Sequence, residues 1–289
     1  MSNSLDRPAA QSTALGLSEA PPEDVPMTVL EHLGELRSRL IKALLGMIPG
    51  SWLAWEYKEY LLDWLLKPLR TAWVQLGLGK PTIHFSNPVD LFVSYMKISI
   101  TVGLLASSPW VFYQIWAFVA PGLYKKERIY AIPFVFASTV FFAGGAFFGY
   151  QVVFPLGFET LLGLSGMLPS SEMTVQPTIM LTEYMGFATR MLLAFGTVFE
   201  VPVVVTFLAM IGVVNWKQLL KFGRWWVVIA SIIAAVLTPP DVGSQLMMLV
   251  PLVVLYFMSV GLAYFFGPKV EPDPPEPPKN KAGDEAGGG

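Results

Sequence analysis

Long apolar runs alternate with short clusters of charge along most of the chain. A hydrocarbon core about 30 Å thick takes a helix of about 20 apolar residues. Six runs approach that length: Leu40–Tyr57, Ile98–Val119, Ile132–Phe154, Phe187–Val214, Trp225–Leu237 and Leu246–Phe266. The pattern predicts an all-α, polytopic membrane protein with six transmembrane helices. Pro49-Gly50 interrupts the first run and Pro251 sits inside the sixth. A packed membrane bundle tolerates such prolines because neighbours satisfy the freed carbonyls, so kinked helices are expected. The fifth run is short, since 13 residues at 1.5 Å rise cover only ~20 Å. Either its ends are shielded or the bilayer thins there, or the helix extends inward through Lys221 and Arg224, whose side chains snorkel.

Between the first two runs lies an amphipathic stretch, Tyr60–Leu76, and then Asn87-Pro88-Val89-Asp90. The latter has the marks of a helix start: a capping residue, proline at the first position and an acid in the first turn. The second helix is therefore expected to begin before Lys97. With six spans, both termini and the second and fourth loops share one side. That side carries Arg37, Arg39, Lys42, Lys125, Lys126, Arg128, Lys217, Lys221, Arg224 and Lys269. The opposite side has Lys58, Lys67, Arg70, Lys80 and Lys97, all in the long first loop, where charge counts for less, while the loops around 158–181 and 238–245 contain no Lys or Arg. Cytoplasmic loops collect positive charge, so both termini are expected in the cytoplasm. Residues 1–26 lack the basic and apolar regions of a signal peptide, and residues 268–289 are rich in Pro, Glu and Gly. Both are expected to be disordered, flanking one transmembrane domain over 27–267.

Composition narrows the chemistry. Hydrophobic residues make up 54% of the chain and charged residues only 14%, against about a quarter charged in soluble domains. A net charge of -2 offers no electrostatic footprint for nucleic acid. Cysteine is absent, which excludes disulfides, thiolate metal sites and a cysteine nucleophile. The two histidines, His32 and His84, have no zinc-binding spacing, and no phosphate-cradling GxxxxGK[ST] loop is present. Neither a metal, nor a cofactor, nor an enzymatic activity is expected.

Attention falls on the acids. From Thr28 to Leu45, leucines at spacings of three and four form an apolar stripe, with Glu31, Glu35 and Arg39 on the polar side. This is either a solvated face with a weak Glu35–Arg39 pair or an acidic spot beside the membrane surface. Glu127, in Leu123-Tyr124-Lys125-Lys126-Glu127-Arg128, either pairs with a neighbouring cation or serves a similar role. Glu200 lies well inside the fourth run, where an acid costs about 2.5–3.5 kcal/mol. It needs a partner, a cavity or water, or else is a protonated carboxyl bonded within the bundle. Arg190 precedes it by ten residues, too far for a pair on one helix, and either snorkels outward or meets Glu183. Asp241, in the turn Thr238-Pro239-Pro240-Asp241, suits a cap for the sixth helix.

Taken together in order, His32–Leu40, Tyr113–Arg128, Phe147–Pro155, Phe195–Pro202 and Thr238–Gln245 resemble the TatC family, the multispanning receptor subunit of the twin-arginine protein translocase. The resemblance covers about residues 28–266. It implies a concave, glove-like six-helix bundle with short fifth and sixth spans in the cell inner membrane. It also implies recognition of twin-arginine signal peptides on folded cargo, by Glu35 and Glu127 with Arg37 and Phe118 nearby. Glu200 matches the intramembrane acid that meets single-span TatA/TatB-type subunits in an oligomeric complex. Asp241 and Gln245 match an outer turn, and Pro68 a proline of the first loop. Three features depart from the family pattern: the long extension before Met27, Pro49-Gly50 in the first span, and Tyr256-Phe257 without the acid often found there. A solute transporter using Glu200, Arg190 and Asp241 as a relay is the competing class, and an intramembrane enzyme a third. A sparse set of ionisable residues weighs against both.

Overall fold

The computed structural model describes residues 29–120, 131–167, 174–175, 177–238 and 242–267. Glu127, Asp241 and the two terminal segments lie outside these residues. The described chain is all-helical apart from one short hairpin. Its elements are α1 (Val29–Glu56), α2 (Lys58–Gln75), α3 (Pro88–Ala106), α4 (Ser108–Val119), α5 (Ala131–Phe148), a π-helical turn (Gly149–Val153) and α6 (Phe154–Leu162). There follow β1 (Gly166–Met167), β2 (Thr174–Val175), α7 (Leu181–Phe199), α8 (Val201–Met210), α9 (Trp216–Leu237) and α10 (Val242–Phe266). The strands pair antiparallel, Gly166 with Val175 and Met167 with Thr174.

Local chemistry sets several of these boundaries. The Asp90 carboxylate accepts from the backbone N–H groups of Ser86 and Asn87, each at 3.0 Å, which starts α3 where the sequence places it. Asn215 and Gln218 form the reciprocal pair that opens α9, after a turn in which Gly212 takes φ 77°. That positive φ favours glycine. His84 has a structural role: it exchanges backbone hydrogen bonds with Ile179 and Leu181, tying the approach to α3 to the start of α7.

Among the described residues, five stretches are long and apolar enough to cross a membrane: Pro88–Ala106, Ala131–Leu162, Leu181–Met210, Trp216–Leu237 and Gln245–Phe266. The first apolar run is not among them. It lies in α1, whose 28 residues suffice in length but are diluted by charge, Trp, Gly, Ser and Pro. The expectation of short fifth and sixth spans is corrected. α9 has 22 residues and α10 has 25; α9 begins at Trp216, nine residues before Trp225, and carries Lys217, Lys221 and Arg224 on its first turns. The second run is also not one helix: it breaks at Ser107, beside Pro109, between α3 and α4. The third extends through the π turn to Leu162, and the fourth breaks at Glu200, just before Pro202.

The core centres on α7, where Met185, Ala188 and Phe195 are wholly buried, with Ala230, Ala234 and Met248 of α9 and α10 against the same cluster. Polar side chains on these helices return their hydroxyls to their own backbone, as Thr189 does to Met185 and Ser259 to Leu255. No water is available at bilayer depth to do so instead. The amphipathic α2 docks through its carbonyls: Tyr150 donates to Trp64 and Tyr184 to Leu65. Pro68 is buried within it.

α1 is held by close approach. A β-carbon on Gly103 of α3 would stand 2.5 Å from Ser51 Cα and 2.6 Å from Ser51 N, so the two backbones nearly touch. Small residues permit this in membrane bundles. Gly103→Ala is expected to force the helices apart and destabilise the protein by about 1–3 kcal/mol. A thermal denaturation series in detergent checks this, with Gly144→Ala, where no atom lies within 4 Å of the new carbon, expected to leave the melting temperature unlowered.

Candidate functional site

One face of α1 runs antiparallel along α4, and residues meet at helical spacings. His32 stacks on Phe118, ring centroids 4.5 Å apart and planes 22° off parallel. Two turns along α1, Arg39 donates to Gln114 Oε1 at 3.4 Å. Further on, Trp110 Nε1 donates to the Lys42 carbonyl at 2.9 Å, its indole filling the space that Gly46 leaves open. The contacts at 32, 39, 42 and 46 against 118, 114 and 110 lie along one side of each helix.

Glu35 belongs to this face. Its Oε1 accepts from Arg39 at 3.3 Å, and both side chains are partly exposed, 22% for Glu35 and 28% for Arg39. An i,i+4 pair of this exposure is worth about 0.3–0.5 kcal/mol. The pair expected from the sequence is thus present, but Arg39 is shared. Its other nitrogen engages Gln114, which is 2% exposed and lies 75 residues along the chain. Glu35 therefore sits on a rim, tethered through one oxygen by an arginine fixed from below. Arg37 is exposed and lies on a different side of α1 from Glu35, two positions and about 200° away. Phe118 belongs to the contact as the partner of His32. Glu127, eight residues beyond the end of α4, lies outside the described residues.

Glu200 stands at the break between α7 and α8. Its Oε1 is buried with no hydrogen-bond partner. Ser138 of α5 faces the carboxyl, and the Ser138 hydroxyl also accepts from Trp116 Nε1 at 3.2 Å. Trp116 lies two residues after Gln114, so α4 borders both acids, on two different sides. Neither Gln114 nor Ser138 was singled out in the sequence. The only local sign of either was a polar residue within an apolar run. Gln245 donates to the Ser231 carbonyl at 3.3 Å, joining α10 to α9. Arg190 makes no ion pair with Glu183. Its Nε donates to the Gly186 carbonyl at 2.7 Å, and no relay through Arg190 to Glu200 is formed. Among the described residues no group of His, Cys, Asp and Glu is placed to hold a metal.

The fold and its polar groups define a multi-pass α-helical membrane protein with a Glu35–Arg39 pair at one end of the α1–α4 face and a buried acid at a helix break. Residues 31–251 match the family described as Sec-independent protein translocase protein (TatC), and the chain belongs to that family. It is 42% identical over 250 residues to the TatC protein of Desulforapulum autotrophicum, covering 86% of this chain and 89% of that one. It is 37% identical to that of Carboxydothermus hydrogenoformans, covering 86% and 97%. A crystal structure of the twin-arginine translocase receptor TatC superposes with a TM-score of 0.70 at 33% identity, covering 80% of this chain and 99% of that chain. The chain is thus a component of the Sec-independent protein translocase, with a role in transport rather than catalysis.

The Ser138 hydroxyl serves both Trp116 and Glu200. Ser138→Ala leaves the buried indole N–H without its acceptor and the carboxyl without its polar neighbour, and is expected to cost about 1–3 kcal/mol. Denaturation of the detergent-solubilised variant measures this; an unchanged midpoint contradicts it.

Proposed function

We propose that this chain is the receptor core of the twin-arginine translocase. In this reading it binds twin-arginine signal peptides of folded proteins at the cytoplasmic face of the inner membrane. It crosses that membrane six times with both termini inside, and assembles with single-span subunits in an oligomeric complex. The observation that carries the reading is the tethered carboxylate of Glu35. Only Oε1 is engaged, by an arginine that Gln114 holds in place. Among the described residues nothing engages the second oxygen, which can accept a charge-assisted hydrogen bond from an incoming guanidinium. A second acid, Glu127, follows the helix that packs against this face, and two acids match two adjacent arginines.

The apolar flank of α1 supports both the reading of α1 as the first of six spans and a path for the hydrophobic part of the signal. Leu40, Leu44, Ile48, Trp52 and Leu53 are all exposed, as expected of a surface that faces lipid or an apolar ligand. Solved relatives are described as receptors of the twin-arginine translocase. For Glu200, the support is its buried, unpartnered oxygen at bilayer depth. Such a group calls for a polar partner, which a polar side chain on a partner helix supplies.

Reversing both rim acids, Glu35→Lys with Glu127→Lys, is expected to abolish photo-cross-linking of a twin-arginine peptide in membranes. Undiminished cross-linking would sink the receptor assignment. Glu200→Ala is expected to keep peptide cross-linking and reduce co-purification of a single-span subunit. Full co-purification would show that Glu200 has another role.

A further inference from the structure

Lys97 and Arg190 belong to neither site above, yet both lie well inside membrane-crossing helices, α3 and α7. They converge on one point. A β-carbon on Gly186 would stand 3.9 Å from Lys97 Nζ and 3.9 Å from a terminal nitrogen of Arg190. Two cations thus flank a gap that a glycine leaves open. The ion pairs among the described residues, Arg39–Glu35 and Arg70–Asp63, involve neither cation. Asp90, the acid of α3, is occupied as a helix cap. Thr182 shares the same face of α7, four residues before Gly186, and its buried hydroxyl has no partner. Like charges close together at bilayer depth are costly twice over, by desolvation and by repulsion. An anion between them removes both costs.

The surroundings indicate which anion. Tyr184 donates to the Leu65 carbonyl of α2, so this amphipathic helix, with Tyr60 and Trp64 exposed, lies level with Tyr184. Helices of that kind rest in the headgroup region. Arg190 is six residues deeper, about 9 Å along α7, a depth that long cationic side chains and a locally thinned leaflet bridge. Arg190 is exposed, so the gap can be reached from outside the helix bundle. Next to Lys97 on α3, Met96 and Ile100 are exposed and line an apolar groove of about 470 Å³ against Met47, Ile48 and Trp52 of α1. We propose that Lys97 and Arg190 bind the phosphate of an anionic phospholipid in the leaflet that carries α2, with an acyl chain in the α1–α3 groove. The arginine fork takes two phosphate oxygens and the lysine supplies a point charge. This site is independent of the signal-peptide reading.

The test counts lipid bound to the purified full-length protein in mild detergent, by native mass spectrometry, during titration with phosphatidylglycerol or phosphatidylcholine. Phosphatidylglycerol is expected to be preferred. Its retention should fall about fivefold in Lys97→Gln or Arg190→Gln and about 25-fold in the double variant. Lys217→Gln removes a cation that rests over Trp216 of α9, away from the groove, and should change nothing. Lys97→Arg should retain lipid, and Gly186→Leu, which fills the gap but keeps both charges, should lose it; these two carry the test if the double variant does not fold. Unchanged retention in a folded double variant overturns the proposal. So does inorganic phosphate binding the lipid-free protein as tightly as phosphatidylglycerol does. Loss of a co-purifying single-span subunit with lipid retention intact assigns the cations to a carboxylate on that subunit, and overturns it as well.

Discussion

The near-contact of α1 and α3 at Ser51 and Gly103 is the constraint on which the exposed acid depends. α1 is less apolar than the five membrane-length stretches, and composition alone does not seat it in a bilayer. Its position comes from one seam. Gly50 and Ser51 lie against Gly103 of α3 and Ser107 at the break after it, and Gly46 receives the Trp110 indole of α4. Because the backbones meet with almost no side chain between them, the helix has little freedom to slide or rotate. Hence Arg39 arrives at Gln114 and His32 at Phe118, and Glu35 is presented at a fixed height. The departure at Pro49-Gly50, an oddity in the sequence, is part of this seam.

The two acids illustrate two ways in which charge is accommodated in a membrane protein. Glu35 remains on the rim and is held lightly, through one oxygen and a shared arginine. Glu200 sits where the chain cannot continue as one helix, with Pro202 following and one carboxyl oxygen unpaired. α4 runs between them, turning Gln114 to one and Trp116 toward the other. The family assignment accounts for the presence of both acids, while these contacts account for their settings.

Much of the fold was legible because membrane helices advertise themselves by composition, and because caps are local. Asn87 to Asp90 placed the start of α3 from four residues. Glu35–Arg39 was visible as an i,i+4 pair, and Glu200 as a charge out of place. What could not be read depended on residues distant in sequence. Gln114 reaches Arg39 across 75 positions, and Ser138 meets Glu200 from another helix. The extent of α9 was obscured for a different reason: Lys217, Lys221 and Arg224 interrupt the apolar run but not the helix, since their long side chains carry the charge away from the axis. The roles given to Glu127 and Asp241 rest on sequence resemblance alone.

The π turn at Gly149–Val153 has a consequence for the phase of the third long helix. Accommodating an additional residue in one turn rotates everything after it by about 100° relative to an unbroken helix. α5 and α6 are thereby freed to address different neighbours. Before the turn, Gly145 nestles against Phe199 and the Phe195 carbonyl of α7; after it, Phe154 and Phe158 face the cluster shared with α2 and α7. A single helix of constant phase would present one stripe to one partner. The local unwinding works as a gear change, letting one continuous span serve two packing surfaces in succession.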